Sequence, residues 1–160
     1  MSAEDQIRVT LQQEEGFRFS VEFHGTGAEP LQTDLPEPTG AGAGPDPEHL
    51  LLAAVANCLA ASLLYALRAN RNEGVSGVKA QVTAKPARNA EGRLRIPQVF
   101  VELDLPGSND DYQDLDKVLG RFEDFCTVTQ SVRNGIDVEV TVRDADQRVL
   151  LGDKSFEAGS

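Results

Sequence analysis

The stretch "DPEHLLLAAVANCLAASLLYALRANR", Asp46 to Arg71, decides how the chain folds. From Leu50 to Leu67 only Asn57 and Ser62 are polar, and Cys58 stands in the middle. The segment opens with a well-formed helix start. Asp46 can accept hydrogen bonds from the first free amides, Pro47 suits the first helical position, and Glu48 complements the positive end of the helix dipole. The helix is expected to run to about Asn72, with Arg68 and Arg71 near its end and Gly74 beyond as a stop. Its length is then roughly 39 Å.

A helix that is apolar all round must be covered all round. The strands of one 160-residue chain can cover one or two sides, so a second subunit is expected to wrap the rest. The apolar run also touches the lower length limit for a membrane span. Alanine supplies much of it and nothing else in the chain is lipid-like, so a core helix is the preferred reading.

Outward from the helix, the periodicity switches to two. Ile7, Val9 and Leu11 alternate with polar residues, "EEG" punctuates, and Phe17, Phe19, Val21 and Phe23 alternate with Arg18, Ser20, Glu22 and His24. This pattern predicts an N-terminal hairpin with Arg18 and His24 facing away from the phenylalanines. From Pro30 to Pro47 the composition turns to Pro, Gly, Ala and Thr, which reads as a loop of poorly defined structure. After the helix, "VKAQVTAK" (Val78 to Lys85) and "VFVELDL" (Val99 to Leu105) predict another hairpin around a long polar connection. Ser108, Asn109, Asp110 and Asp111 then open a second helix, on which Leu115, Val118, Leu119, Phe122 and Cys126 fall on one face. "TVTQSVRNG" predicts one or two further helical turns stopped by Gly135, followed by the strand "IDVEVTV" and a frayed tail from Gly152.

The length fits a single α+β domain. Its parts are a hairpin and loop over 1–45, the cysteine helix over 46–72, a hairpin, second helix, second cysteine and closing strand over 76–151, and a tail over 152–160. A formal net charge of −11 works against phosphate backbones and anionic membranes through like-charge repulsion, so neither nucleic acid nor a membrane is an expected partner. "MSAEDQIRVT" carries no secretory signal, which makes the cytoplasm the default compartment. Two cysteines there are not a secretory disulfide framework.

Among groups that could carry chemistry, the thiols come first. A lone cysteine on an apolar helix is commonly a small buried hydrophobe with a raised pKa and no reactivity, and that reading holds for Cys58 and Cys126 as far as spacing alone goes. A metal site would have to draw on Cys58, Cys126, His24 and His49, which show no CxxC or HxxxH spacing, so no metal is expected. No nucleophile elbow is present, and "GAGAGP" does not follow a strand as a dinucleotide-binding loop must, so no nucleotide cofactor is expected either.

The arrangement as a whole is more telling. "PDPEHLLLAAVANCLAASLLYAL" resembles the cysteine helix of the OsmC/Ohr family of osmotically inducible and organic hydroperoxide resistance proteins, and "FCTVTQSVRNGIDVEVTV" resembles its second cysteine segment. The likeness implies an OsmC-like fold, with antiparallel sheets around a long buried central helix in an intertwined homodimer. It further implies a cysteine-based peroxidase in which Cys58 attacks the hydroperoxide, Cys126 resolves the product, and Arg18 and Glu48 complete the site. The substrate would be an organic hydroperoxide and the reductant an external dithiol, of lipoamide type in some members, with no cofactor. Asn57 before Cys58 and Thr127 after Cys126 depart from the family pattern.

The physical case for each role is separate from the likeness. A peroxidatic cysteine must be a thiolate, so a cation must stand beside it, and Arg18 stays charged wherever it sits. Glu48 could orient Arg18 by a bidentate contact. Glu48 and Cys58 lie roughly 15 Å apart along one helix, so Glu48 is expected to serve the site of a partner subunit. A non-enzymatic OsmC-like protein that binds an apolar ligand at the dimer interface, with both cysteines structural, is the alternative.

Overall fold

A computed structural model describes residues 6–152 of the chain. Two compact units divide it, Met1–Leu51 and Leu52–Ser160, with the boundary just inside the long helix. Beyond Gly152, the expected frayed tail lies outside the described residues.

The first unit is built on the predicted hairpin, β1 (Val9–Glu15) and β2 (Arg18–Phe23), paired antiparallel with Val9 opposite Phe23 and Leu11 opposite Val21. A third strand, β3 (Leu31–Thr33), pairs with β2 inside the segment expected to be poorly defined. The rest of that segment is tied down by one buried side chain. The Asp34 carboxylate accepts hydrogen bonds from the amides of Leu35 (2.8 Å), Ala41 (3.1 Å) and Ala43 (3.1 Å). Foremost the Ala43 amide holds the Asp34 pKa below its ordinary value, although burial works the other way. Gly40 and Gly44 have no room for a side chain: an added Cβ would come within 2.2 Å of the Leu35 and Gln32 carbonyls, respectively.

Helix α1 (Pro47–Ala69) starts where the sequence places it. The His49 amide donates to Asp46 Oδ1 at 2.9 Å, the N-cap bond expected of Asp46. The end comes earlier than the expected Asn72, because Arg71, not Gly74, takes the left-handed turn (φ 67°) that reverses the chain. Asn72 is buried and secures the reversal. Its Nδ2 donates to the carbonyls of Leu67 (3.1 Å), Asn70 (2.8 Å) and Gln113 (3.1 Å), and its Oδ1 accepts from the Gln113 amide (2.8 Å).

In the second unit, β4 (Lys79–Ala84) and β7 (Gln98–Asp104) form the predicted hairpin, and the connection between them carries a small ladder of β5 (Ala87–Arg88) and β6 (Leu94–Arg95). With β8 (Asp137–Arg143) and β9 (Val149–Leu151) the sheet order is β4-β7-β8-β9. The β7–β8 pair is parallel, so the sheet is mixed. Val99, Val101 and Leu103 on β7 lie opposite Val138, Val140 and Val142 on β8, one apolar face set by strand alternation. They join one core with Val55, Leu59, Leu63 and Leu67 of α1, a row at four-residue spacing.

The predicted second helix does not form as one piece. A turn of 3₁₀ helix at Asn109–Asp111 is followed by extended Tyr112, left-handed Asp114 (φ 49°), and only then α2 (Leu115–Leu119). Bonds from outside the segment win over helical continuity here. Asn72 holds Gln113 at both its amide and its carbonyl, and buried Asp144 accepts the Asn109 amide at 3.0 Å. A second 3₁₀ turn, Phe122–Phe125, leads to Cys126 and α3 (Thr127–Val132). The expected buried face survives these breaks, since Leu115, Val118, Leu119, Phe122 and Cys126 are all in the core.

Two predictions follow from these polar hubs. Asn72→Ala leaves buried carbonyls unpaired and is expected to lower stability by about 2 kcal/mol in urea unfolding. Burial alone would raise the Asp144 pKa, but the amides of Arg148, Asn109 and Asp146 and the Arg148 charge outweigh it and the net shift is downward. A carboxylate with a depressed folded pKa stabilises above its unfolded value, about 3.9, and loses that contribution as pH falls through the folded value. Acid unfolding of Asp144→Asn should accordingly show a shallower loss of stability below about pH 4 than the wild type.

Candidate active site

Cys58 sits on α1 between Val55 and Leu59 of the buried row and is itself half-buried. Cys126 is fully buried at the junction between the Phe122–Phe125 turn and α3. Both are free thiols. Distant in sequence, both belong to the core of the second unit, Cys58 packed against its edge and near enough to Cys126 to raise the pKa of that thiol.

The junction that carries Cys126 is braced on both sides. Its amide donates to the Glu123 carbonyl at 3.1 Å and its carbonyl accepts the Gln130 amide at 2.9 Å. Arg133 forms an ion pair with Glu123 and also donates to the Val138 carbonyl at 3.2 Å. The turn is thereby tied to β8.

Electrostatically, Cys126 is held as a thiol. Burial pushes its pKa up, the Cys58 side chain pushes the same way, and the hydroxyl and amide of Thr129 pull it partly back. The Thr129 Oγ1 lies 2.9 Å from the Cys126 Sγ, and Thr129 is fully buried.

The other two predicted site residues belong to the first unit. Arg18 opens β2, with Nη2 3.3 Å from Glu15 Oε2 and Nε 3.2 Å from Glu14 Oε2. The Nε contact is a charge contact only, since its geometry does not make a hydrogen bond. Arg18 also lowers the Asp34 pKa through its charge. Glu48 is exposed in the first turn of α1. No hydrogen bond or ion pair joins Arg18 to Glu48 among the described residues. His24 bonds to Thr10 (2.7 Å) and His49 to Asp46 (2.6 Å). Among the described residues, no three His, Cys, Asp or Glu side chains come together as a metal-binding set.

Two features escaped the sequence. Thr129 is one, although a hydroxyl three positions after a cysteine that caps a helix is a recognisable spacing. The other is a cavity of about 310 Å³ lined by Tyr65, Ala66, Lys117, Val118, Arg121 and Phe125. Phe125 directly precedes Cys126, but the lining comes from α1, α2 and a turn that only folding assembles.

The candidate site is therefore a pair of thiols, Cys58 on the long apolar helix and Cys126 at the start of α3, packed on one core. The chain belongs to the OsmC-like protein family, whose model matches residues 40–141. No curated protein matches it. Among solved structures, it is similar to an organic hydroperoxide resistance protein OsmC from Legionella pneumophila, with 18% identity and a TM-score of 0.67 over 88% of this chain and 98% of that one. An OsmC-like protein from Mycoplasma pneumoniae gives 15% identity and a TM-score of 0.69 over 88% and 98%. A putative organic hydroperoxide resistance protein from Vibrio cholerae, with captopril bound in one of its active sites, gives 21% and 0.68 over 94% and 97%. At these identities the likeness establishes the α+β fold.

The unequal burial of the two sulfurs has a direct chemical consequence. A small alkylating reagent should label Cys58 well before Cys126 in the native protein and both alike in denaturant, as peptide mass spectrometry would record. Equal native rates would contradict the placement of Cys126 in the core.

Proposed function

We propose that the protein is a thiol-dependent reductase of organic hydroperoxides. The observation that carries this reading is the meeting of two free thiols within one apolar core. Thiols kept only for packing have no need to sit in one core near each other, whereas a peroxide-reducing couple requires it.

The Cys58 sulfur, as thiolate, attacks the outer oxygen of ROOH. The O–O bond breaks, an S–O bond forms, and the alkoxide leaves as ROH after taking a proton. Cys58 is now a sulfenic acid. Cys126 attacks the Cys58 sulfur, hydroxide leaves and is protonated to water, and a Cys58–Cys126 disulfide remains. An external dithiol reduces it by exchange, passing through a mixed disulfide. The apolar surroundings of Cys58 favour alkyl or lipid hydroperoxides over hydrogen peroxide, because they replace water with hydrocarbon at the entry of R. No cofactor enters the cycle.

Arg18 is assigned the stabilisation of the Cys58 thiolate and of the oxygen that gains charge, with Glu48 as its orienting carboxylate. Glu48 acts from a second copy of the chain, because it stands roughly 15 Å up its own helix from Cys58. A homodimer also accounts for the outer side of α1, where Ala53, Ala54, Asn57, Ala61 and Tyr65 are exposed on a helix long and apolar enough to cross a membrane. We place the protein in the cytoplasm, where thiol reductants keep such a cycle turning.

Titration with cumene hydroperoxide tests the assignment. Two thiols per chain should disappear per equivalent of peroxide, and Cys58→Ser should abolish the loss. Cys126→Ser should accumulate sulfenic and then sulfinic acid at Cys58, and Arg18→Ala should slow the first step by about two to three orders of magnitude. Unchanged thiols in the wild type would leave the apolar-ligand alternative in its place.

A further inference from the structure

We infer that Thr129 is a catalytic residue of the second half-reaction, its hydroxyl following the proton of Cys126 as that sulfur changes from thiol to nucleophile. The inference rests on the peroxidase reading for its chemistry, and on the local geometry for everything else.

Cys126 poses a problem that the first half-reaction does not. It is sealed in the core, yet it must deliver an electron pair to the Cys58 sulfur, which a thiol does poorly and a thiolate does well. Burial disfavours the thiolate, and so does the Cys58 side chain. The flanking turns carry Arg121, Glu123, Asp124 and Arg133, of which Glu123 and Arg133 pair with each other. Thr129 is the neighbour that can compensate. Its Oγ1 stands 2.9 Å from Sγ, and both residues have no exposed surface, so no water competes for the contact.

A hydroxyl is suited to this place because it both accepts and donates. Toward the resting thiol, Oγ1 accepts the S–H. Once the proton has left, the same hydroxyl turns its own hydrogen toward the sulfur and stabilises the negative charge. As the S–S bond forms and the S–O bond of the Cys58 sulfenic acid breaks, the Cys126 sulfur is oxidised, the Cys58 sulfur is reduced, and the proton given up by Cys126 balances the one taken by the departing hydroxide, which leaves as water. When the external dithiol later attacks the Cys58 sulfur, the S–S bond breaks with Cys126 as leaving thiolate, and the same donor stabilises its departure. Lysine or histidine would supply more charge but could not be buried unpaired at that position.

The test uses the full-length protein in a Cys58→Ser background, where Cys126 is the only cysteine and its ultraviolet thiolate absorbance can be followed against pH. Thr129→Val keeps the shape and removes the hydroxyl. It should move the Cys126 midpoint upward and cut the thiolate fraction near neutral pH roughly tenfold, the effect of one hydrogen bond to a charged group. Thr129→Ser should restore the wild-type curve. An unchanged midpoint in Thr129→Val, or the same shift in the valine and serine variants, would overturn the inference.

With Cys58 present, single-turnover oxidation by cumene hydroperoxide supplies the second readout. Disulfide closure should slow in Thr129→Val by a similar factor, with a pH profile displaced upward, and more than the attack on peroxide slows. Failure of the wild type to consume peroxide would remove the peroxidase reading, while the thiolate titration would still decide what Thr129 does to Cys126.

Discussion

The structure depends on a single packing constraint: α1 presents Val55, Leu59, Leu63 and Leu67 at four-residue spacing to a sheet whose facing positions are Val99, Val101, Leu103, Val138 and Val142. Each of these side chains is fully or almost fully removed from water, and burying one such aliphatic group contributes about 1.5–3 kcal/mol relative to leaving it exposed. Rotation of the helix about its axis would lose several of these contacts together. Cys58, next in sequence to Leu59, is thereby fixed in azimuth by residues that have no chemistry of their own.

The second sulfur is placed by polar rather than apolar means. Asn72 ties the helix end to Gln113, Asp144 ties Asn109 to the β8–β9 corner, and Arg133 ties Glu123 to β8. These anchors divide the crossover between the parallel strands β7 and β8 into short pieces, each with its own end point. A continuous helix over the same residues would have one orientation to set. Several short pieces let the chain bend around the core and bring Cys126 back against α1.

Much of this was legible in the sequence. The N-cap of α1, its apolar run, the two hairpins and the buried face from Leu115 to Cys126 all follow from local patterns, because caps and periodicities are properties of neighbouring residues. What was not legible depends on partners far along the chain. Nothing near residue 113 announces that Asn72 will claim its amide, so the second helix was expected whole. Nothing in "PLQTDLPEPTGAGAGPDP" shows that Asp34 will gather three amides, so an ordered loop reads as a loose one. The parallel pairing of β7 and β8 is likewise a choice between distant strands with similar alternation. At the candidate site, both sulfurs stand out through the segments that carry them. Thr129 does not stand out, because what distinguishes it is a distance of 2.9 Å that only the turn before α3 creates.

The meeting of Cys58 and Cys126 also has a topological side. One lies on the helix and the other on the crossover, and between them the chain runs through α1, β4, β7 and α2. Any covalent link between the two sulfurs closes all of that into a ring, leaving β8 and the first unit attached as arms. The ring contains most of the core, so the linked and unlinked chains would be one fold with two connectivities. The linked chain would have far fewer ways to be unfolded.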